Sequence, residues 1–487
     1  IRRVSSIGDL MPLILPGNVA SATAGAYEVA NSCRFDGSSA YMSGTFGSPT
    51  NAKIWTFSFW FKGGSMGSAH NAFISHVNAD GKRAAVVKLL NSTGQLDLRG
   101  ANTADSDAHT ITTNREFRDP AAWYHIVVGW DTTQSTAANR VKIYVNGTLE
   151  TSFATSTYPD EDDTYMLNGN TFTFDVGRYA DGSMYFPGYM AEVCWIDGTQ
   201  YAASDFGEYD SDSPTIWKPK DVSGLTFGNN GFYLDFEDSG NLGDDESGNA
   251  DDLSETNIAA ADQATDTPTN NFATMNPLDN YYPAGTFSEG NCKVVTPGTA
   301  VYTPNTSTFG MSAGKWYVEV KLVAGTDHII GITDYVGLWT GNQQELGDFP
   351  NEWGYYGSTP AKYRNDSGYT TWGNVIAAND VIGIALDLTN SKLYFSIDGT
   401  WQESGDPAAG SNGISITAVG STSHGEYFFG STGWANAAET FAWNFGGCSA
   451  FDVSSGNADD NGYGNFEYDV PAGYLALCTK NLGSDGG

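Results

Sequence analysis

Positive charge is scarce in this sequence. Its 487 residues carry 23 Lys and Arg against 57 Asp and Glu, a formal net charge of −34. So acidic a surface repels phosphate backbones and excludes nucleic acid as a partner. It suits exposure to a salty medium, where screening shortens self-repulsion to roughly 10 Å or less. Cysteine is sparse as well: Cys33, Cys194, Cys292, Cys448 and Cys478 are five, widely scattered. That is too few for a disulfide framework, the absence of a C-x-x-C pair argues against a structural zinc site, and the odd count leaves a thiol free unless chains cross-link. No apolar run reaches the roughly 18 residues of a membrane-spanning helix, so no membrane insertion is expected. No amphipathic helix of ten residues is legible either.

Glycine and aromatic residues are abundant: 58 Gly, 26 Tyr, 26 Phe and 13 Trp. The pairing predicts an all-β chain of short strands and tight turns. In WTFSFWF (55–61), Trp55, Phe57, Phe59 and Phe61 share one face and Thr56, Ser58 and Trp60 the other, the two-residue period of a strand. Trp60 implies that the second face is covered too, or lines a groove. The stretch VKIYVNGTLE (141–150) has an echo in SKLYFSIDGTW (391–401). In each, a strand pattern closes on Asn-Gly or Asp-Gly, residues suited to the positive φ of a two-residue hairpin turn.

The length predicts two or three domains. Residues 1–26, with an Arg pair, an apolar run interrupted by Asp9, Pro12 and Pro16, and a small-residue end, read as an extended docking arm rather than a secretory signal. Strand-like segments fill 27–222. Residues 221–292 hold fourteen acidic residues and no Lys or Arg, and predict an irregular, solvated connector over 223–285 in which GFYLDFED (231–238) returns as a strand to the first unit. A second strand-rich unit spans 286–447, and 448–487 read as a packed tail.

The strings FDGSSAYMSG, WTFSFWFKGG, WYHIVVGWD, KIYVNGTL and FPGYMAEVCWIDG, in that order, resemble a laminin-G-like member of the concanavalin A-like jelly rolls. GKWYVEV, IIGITD, NDVIGIALDLTNSKLYFSIDG and FAWNFGG resemble a SPRY domain. The fold expected is therefore two antiparallel jelly-roll β-sandwiches joined by an acidic irregular connector, with the two echoing stretches as equivalent hairpins. A third likeness concerns setting: GFYLDFEDSGNLGDDESGNADDL, DTPTNNFATMNPLD and VPAGYLALCTKNL resemble structural proteins of marine tailed phages that join a laminin-G-like module to a SPRY module. It implies a virion surface component, a fibre or a capsid decoration protein.

Catalysis finds little support in the residues. The glycosidases of this jelly-roll class place two carboxylates about 5–5.5 Å apart when retaining, through a Glu-x-Asp-x-x-Glu motif. In EYDVPA, Glu467 and Asp469 are present but Ala472 replaces the second Glu. Glu192 and His125 read as structural, and no cysteine carries a catalytic signature. Calcium is the one cofactor the chain could hold, with Asp160, Asp162, Asp163, Asp238, Asp244 and Asp245 as candidate ligands in dense acidic runs. The strongest ligand-binding candidates are Trp339, Trp353, Tyr355, Tyr356, Tyr363, Tyr369 and Trp372, interleaved with amides and Gly over 334–373. Such rings suit sugars or a protein loop; packing of the sandwich core uses the same residues.

The expectation is a non-enzymatic virion surface protein that attaches to host-surface glycan or protein, held to other virion proteins by its N-terminal arm, as a homo-oligomer such as a trimer. The alternatives are a decoration protein that only cements subunits, and a secreted bacterial adhesin or divergent glycan-active enzyme.

Overall fold

The computed structural model describes residues 27–485 apart from 66–69, 78–83, 102–106, 165–167, 169–172, 280–284, 300, 335–343, 359–361, 367 and 435–437. The docking arm, 1–26, lies outside the described residues. The chain is all-β. Its only described α-helices are the short Ala137–Arg140 and Thr479–Asp485.

The first sandwich has two eight-stranded sheets. Strand Ile54–Gly63 lies at the centre of one, antiparallel to Trp123–Asp131 on one side and Pro187–Asp197 on the other. The alternation predicted for 55–61 is what the strand does. Trp55, Phe57, Phe59 and Phe61 enter the inter-sheet core, where they meet Phe73, Ile74, Val87, Leu98 and Val176 of the facing sheet. Trp60 is buried on the other face, beneath Phe206, Trp217, Val222 and Phe227 of the segment that follows the last long strand. That face is covered.

The second sandwich repeats the plan with a nine-stranded and a six-stranded sheet. Trp316, Val318, Val320, Phe441 and Trp443 from one sheet pack on Ile330, Ile332, Trp353, Tyr355 and Phe429 from the other. The echoing hairpins are equivalent in detail. Asn146-Gly147 joins Val141–Val145 to Thr148–Leu149, and Asp398-Gly399 joins Lys392–Ile397 to Thr400–Trp401. Their φ values are +46° and +78°, and +47° and +75°, the doubly positive pattern that favours Gly at the second position. An aromatic ring lies over each glycine: a Cβ on Gly147 would stand 2.4 Å from the Trp217 ring, and one on Gly399 2.7 Å from Tyr468.

The connector differs from the solvated linker expected. Strand Phe232–Leu234 does return to the first sandwich, on Pro187–Asp197, and Ser254–Thr256 and Gln263–Ala264 also join its sheets. Residues 223–264 are thus part of that sandwich. Their acidic side chains serve the turns; Asp245, for instance, accepts from the backbone N–H of Tyr233 (2.9 Å), Ser247 (2.9 Å) and Asp251 (3.0 Å).

Residues 266–276 are buried throughout and form a seam between the sandwiches. Lys62, 1% exposed, donates to Asp266 (2.7 Å), Asn271 (2.7 Å) and the Phe272 carbonyl (2.6 Å). Asp266 also accepts from Trp123 Nε1 (3.0 Å), and Asn271 donates to the Ala121 carbonyl (2.6 Å). From the other side, Thr479 Oγ1 accepts from the Asn271 N–H (3.0 Å). Arg34 of the first sandwich reaches the Ser449 carbonyl (2.7 Å) and Glu289 (3.4 Å). In the tail, Leu475–Ala476 pairs in parallel with Lys315–Ala324.

Candidate binding surfaces

The seven aromatic candidates do not form one surface. Trp339 lies outside the described residues. The others sit on the six-stranded sheet, where strand Glu352–Tyr356 pairs with Lys362–Asn365, which pairs with Gly368–Thr371. The two-residue period divides them. Trp353 and Tyr355 point inward and are buried, at 6% and 0% exposure. This corrects their reading as ligand contacts: both are core. Tyr363 and Trp372 pack half-buried against that core, with Trp372 edge-on to Tyr355 at 5.0 Å and to Tyr363 at 6.3 Å.

Only Tyr356 and Tyr369 meet on the outer face, edge to face with ring centroids 6.3 Å apart. Tyr356 packs beside Ile329, Leu346 and Phe349 and its hydroxyl donates to Asp327. Tyr369 is 48% exposed, and its hydroxyl donates to Glu345 (2.9 Å). The loop beside them is organised from below by buried Glu352, which accepts from the N–H groups of Gly347 (2.8 Å) and Phe349 (3.1 Å) and from Thr333 Oγ1 (3.0 Å). Burial pushes the Glu352 carboxyl up to about 7.

Three further carboxylates are committed to the fold. Glu192 occupies a bulge in Pro187–Asp197 with φ +50° and accepts from Tyr27 (3.0 Å) and Tyr233 (2.9 Å). Burial raises its carboxyl to about 8, against the lowering effect of these bonds. Glu319 accepts from Tyr317 (3.1 Å), Asn444 (3.2 Å) and the N–H groups of Glu467 (2.9 Å) and Tyr468 (2.8 Å), and burial raises it to about 6. Glu467 itself accepts from Ser454 Oγ (2.7 Å), a bond that lowers its carboxyl pKa. His125 accepts from Trp217 Nε1 at Nδ1 (3.0 Å), so its Nε2 carries the proton given to Ser58 (2.9 Å). Burial lowers it to about 3, and the ring is a neutral structural link.

The calcium candidates fall in two acidic runs and most are engaged by donors of the fold. Asp162 pairs with Lys53 (2.9 Å), Asp163 accepts from the Thr164 N–H (2.9 Å), Asp238 from the Gly240 N–H (2.8 Å), and Asp245 holds the turn described above. Burial and the nearby Asp252, Asp238 and Asp235 raise the Asp244 carboxyl. Among the described residues no group of three or more His, Cys, Asp or Glu is arranged to hold a metal ion, and Asp160 lies in the other acidic run, far along the chain from Asp238–Asp245.

Residues 36–201 match the concanavalin A-like lectin/glucanases superfamily. The concanavalin A-like domain therefore covers most of the first sandwich, as the laminin-G-like resemblance implied. Among solved structures the chain is similar to the SPRY domain of human HERC1, with 12% identity and a TM-score of 0.28 over 35% of this chain and 96% of that one. It is also similar to a human SPRY domain, with 14% identity and a TM-score of 0.23 over 31% and 90%. Among curated proteins none matches.

One group went unread in the sequence. Tyr144, Tyr209 and Trp217 line a pocket on the outside of the concanavalin A-like domain. Tyr144 is the outward residue of strand Val141–Val145, the one signal that could have pointed there.

Proposed function

We propose that this is a non-enzymatic binding protein of a virion surface, a fibre or decoration protein whose two sandwiches face outward and attach to host-surface glycan or protein. What supports binding over turnover is the use made of its buried carboxylates. Glu192, Glu319 and Glu352 each have a raised pKa, which alone would suit a general acid, yet each is tied by hydrogen bonds to tyrosines or loop backbone of its own sandwich. The match to a superfamily of lectins and glucanases is compatible with a binding module. The phage setting rests on the resemblance of the 231–279 and 470–482 strings, and with it the arm's docking to other virion proteins and a trimeric or other oligomeric arrangement that would turn weak contacts into avidity.

On the second sandwich, the outer Tyr356–Tyr369 surface is the contact we assign. The test is saturable binding of the full chain, displayed multivalently, to candidate host cells, with and without a calcium chelator. Binding that falls with Tyr369→Ala supports the reading. Absence of binding at high concentration, with particles that adsorb normally but lose stability when the protein is missing, would replace attachment by cementing. Turnover of a polysaccharide would overturn the non-enzymatic assignment.

A further inference from the structure

The concanavalin A-like domain carries a recess of its own, apart from the Tyr356–Tyr369 surface. Its covering segment ends in a small hairpin, Gly207–Tyr209 paired with Trp217–Pro219, laid beside the Asn146-Gly147 turn. Between them opens a pocket of about 350 Å³, within the roughly 300–1,000 Å³ of small-ligand sites. Its floor is Trp217 and its walls are Tyr144 and Tyr209, with Ser204 and Glu208 at the mouth.

The aromatic lining is fixed in place before any ligand arrives. Trp217 is clamped between two glycines: a Cβ on Gly147 would stand 2.4 Å from its ring and one on Gly207 2.5 Å. Its Nε1 is anchored on buried His125. Tyr209 stands edge-on to Trp217 at 4.9 Å, yet remains 45% exposed. Its hydroxyl is 3.2 Å from Thr148 Oγ1, which pins the ring at the rim. At the rim, Glu208 offers a carboxylate acceptor; its partner Lys218, 3.3 Å away, is buried behind the lining.

We infer that this recess binds a neutral pyranose ring at the end of a glycan. A sugar presents an apolar C–H face that stacks on an exposed tyrosine ring held rigid by a buried tryptophan, with hydroxyls around its edge for a carboxylate acceptor. A protein of net charge −34 disfavours sialylated or sulfated sugars at the same place. The inference rests on the reading of this protein as a binder, and adds to it a ligand class and a site independent of Tyr369.

The experiment is saturation-transfer NMR of the full chain with methyl glycosides of glucose, galactose, mannose and N-acetylglucosamine, followed by titration of any that respond. One of them is expected to bind, to weaken about tenfold or more in Tyr209→Ala, and to bind unchanged in Leu278→Ala, an exposed position outside both surfaces. Tyr209→Phe, which keeps the ring, should retain most of the affinity and guards against a folding artefact. No transfer to any neutral sugar, or affinity indifferent to Tyr209→Ala, overturns the site. Cell binding that survives such a failure leaves the attachment reading standing; sugar binding without cell binding keeps the site and removes attachment.

Discussion

Replacing Lys62 with Met tests the seam directly. The ammonium is 1% exposed and makes three bonds of 2.6–2.7 Å, all to the segment that links the sandwiches. Met preserves the length of the stem and removes only the charge. Asp266 would keep its bonds from Trp123 and the Phe272 N–H at one oxygen, but its other oxygen, now facing the Met, would lose its partner. Removing one member of a buried ion pair costs about 3–5 kcal/mol, because the survivor is left charged and desolvated. For 487 residues at about 2.1 cal/mol/K each, the unfolding entropy is about 1 kcal/mol/K if the chain melts as one unit. Lys62→Met should therefore lower Tm by about 3–5 °C, or split the transition in two if the sandwiches uncouple. Calorimetry with a parallel denaturant titration measures both. Adding Asp266→Asn removes the stranded charge and should recover at least about 1 kcal/mol of the loss. A Lys62→Met loss below about 1 kcal/mol, with a single transition, would refute the claim that this polar node is dry and holds the two units together.

Glu192, with its carboxyl raised to about 8, binds a proton in the folded state that the unfolded chain releases near 4.5. Its contribution is full below that value and is lost as pH rises to about 8. Stability should fall across this window, and Glu192→Gln should flatten the fall in a Tm-against-pH series. All five cysteines are buried, and burial raises the thiols of Cys292 and Cys478 to about 12 and of Cys448 to about 11. A thiol reagent should label none in the native protein and five after denaturation. Gly147→Ala should cost about 2–4 kcal/mol, since it adds left-handed strain to a clash with Trp217. Gly248→Ala, at φ +88° with open space around it, should cost only about 1 kcal/mol; equal losses in a denaturant titration would remove the ring-over-glycine argument.

The architecture was readable where periodicity and turn chemistry coincided. The 55–61 alternation, the two Asn-Gly and Asp-Gly turns and the returning strand at 232–234 all stand where the pattern placed them. The seam was not readable, for a physical reason. DTPTNNFATMN has the composition of a loop, and its Asp266 and Asn271 side chains and the Asn271 N–H are satisfied by Lys62, Ala121 and Thr479, partners about 150 to 210 positions away along the chain that only the fold brings close. The aromatic region erred differently. Counting rings over 334–373 ignored the period that sends Trp353 and Tyr355 inward and leaves Tyr356 and Tyr369 outside, and no count could see Tyr209 and Trp217, eight residues apart, folding back onto the Tyr144 strand.

The seam also sets what can be exchanged between proteins of this design. Its atoms come from strand Ile54–Gly63, the 266–276 segment and the start of helix Thr479–Asp485, so neither sandwich ends at a clean cut. A recombination that swapped only residues 286–447 would import a module without its own tail and lay it against the old one, whose Leu475–Ala476 pairs with Lys315–Ala324 and whose Thr479 holds Asn271. Diversification by whole-module shuffling is therefore closed to this chain unless connector and tail travel together. Change is cheapest at the exposed rims, where Tyr209 and Tyr369 can be replaced without disturbing the joint.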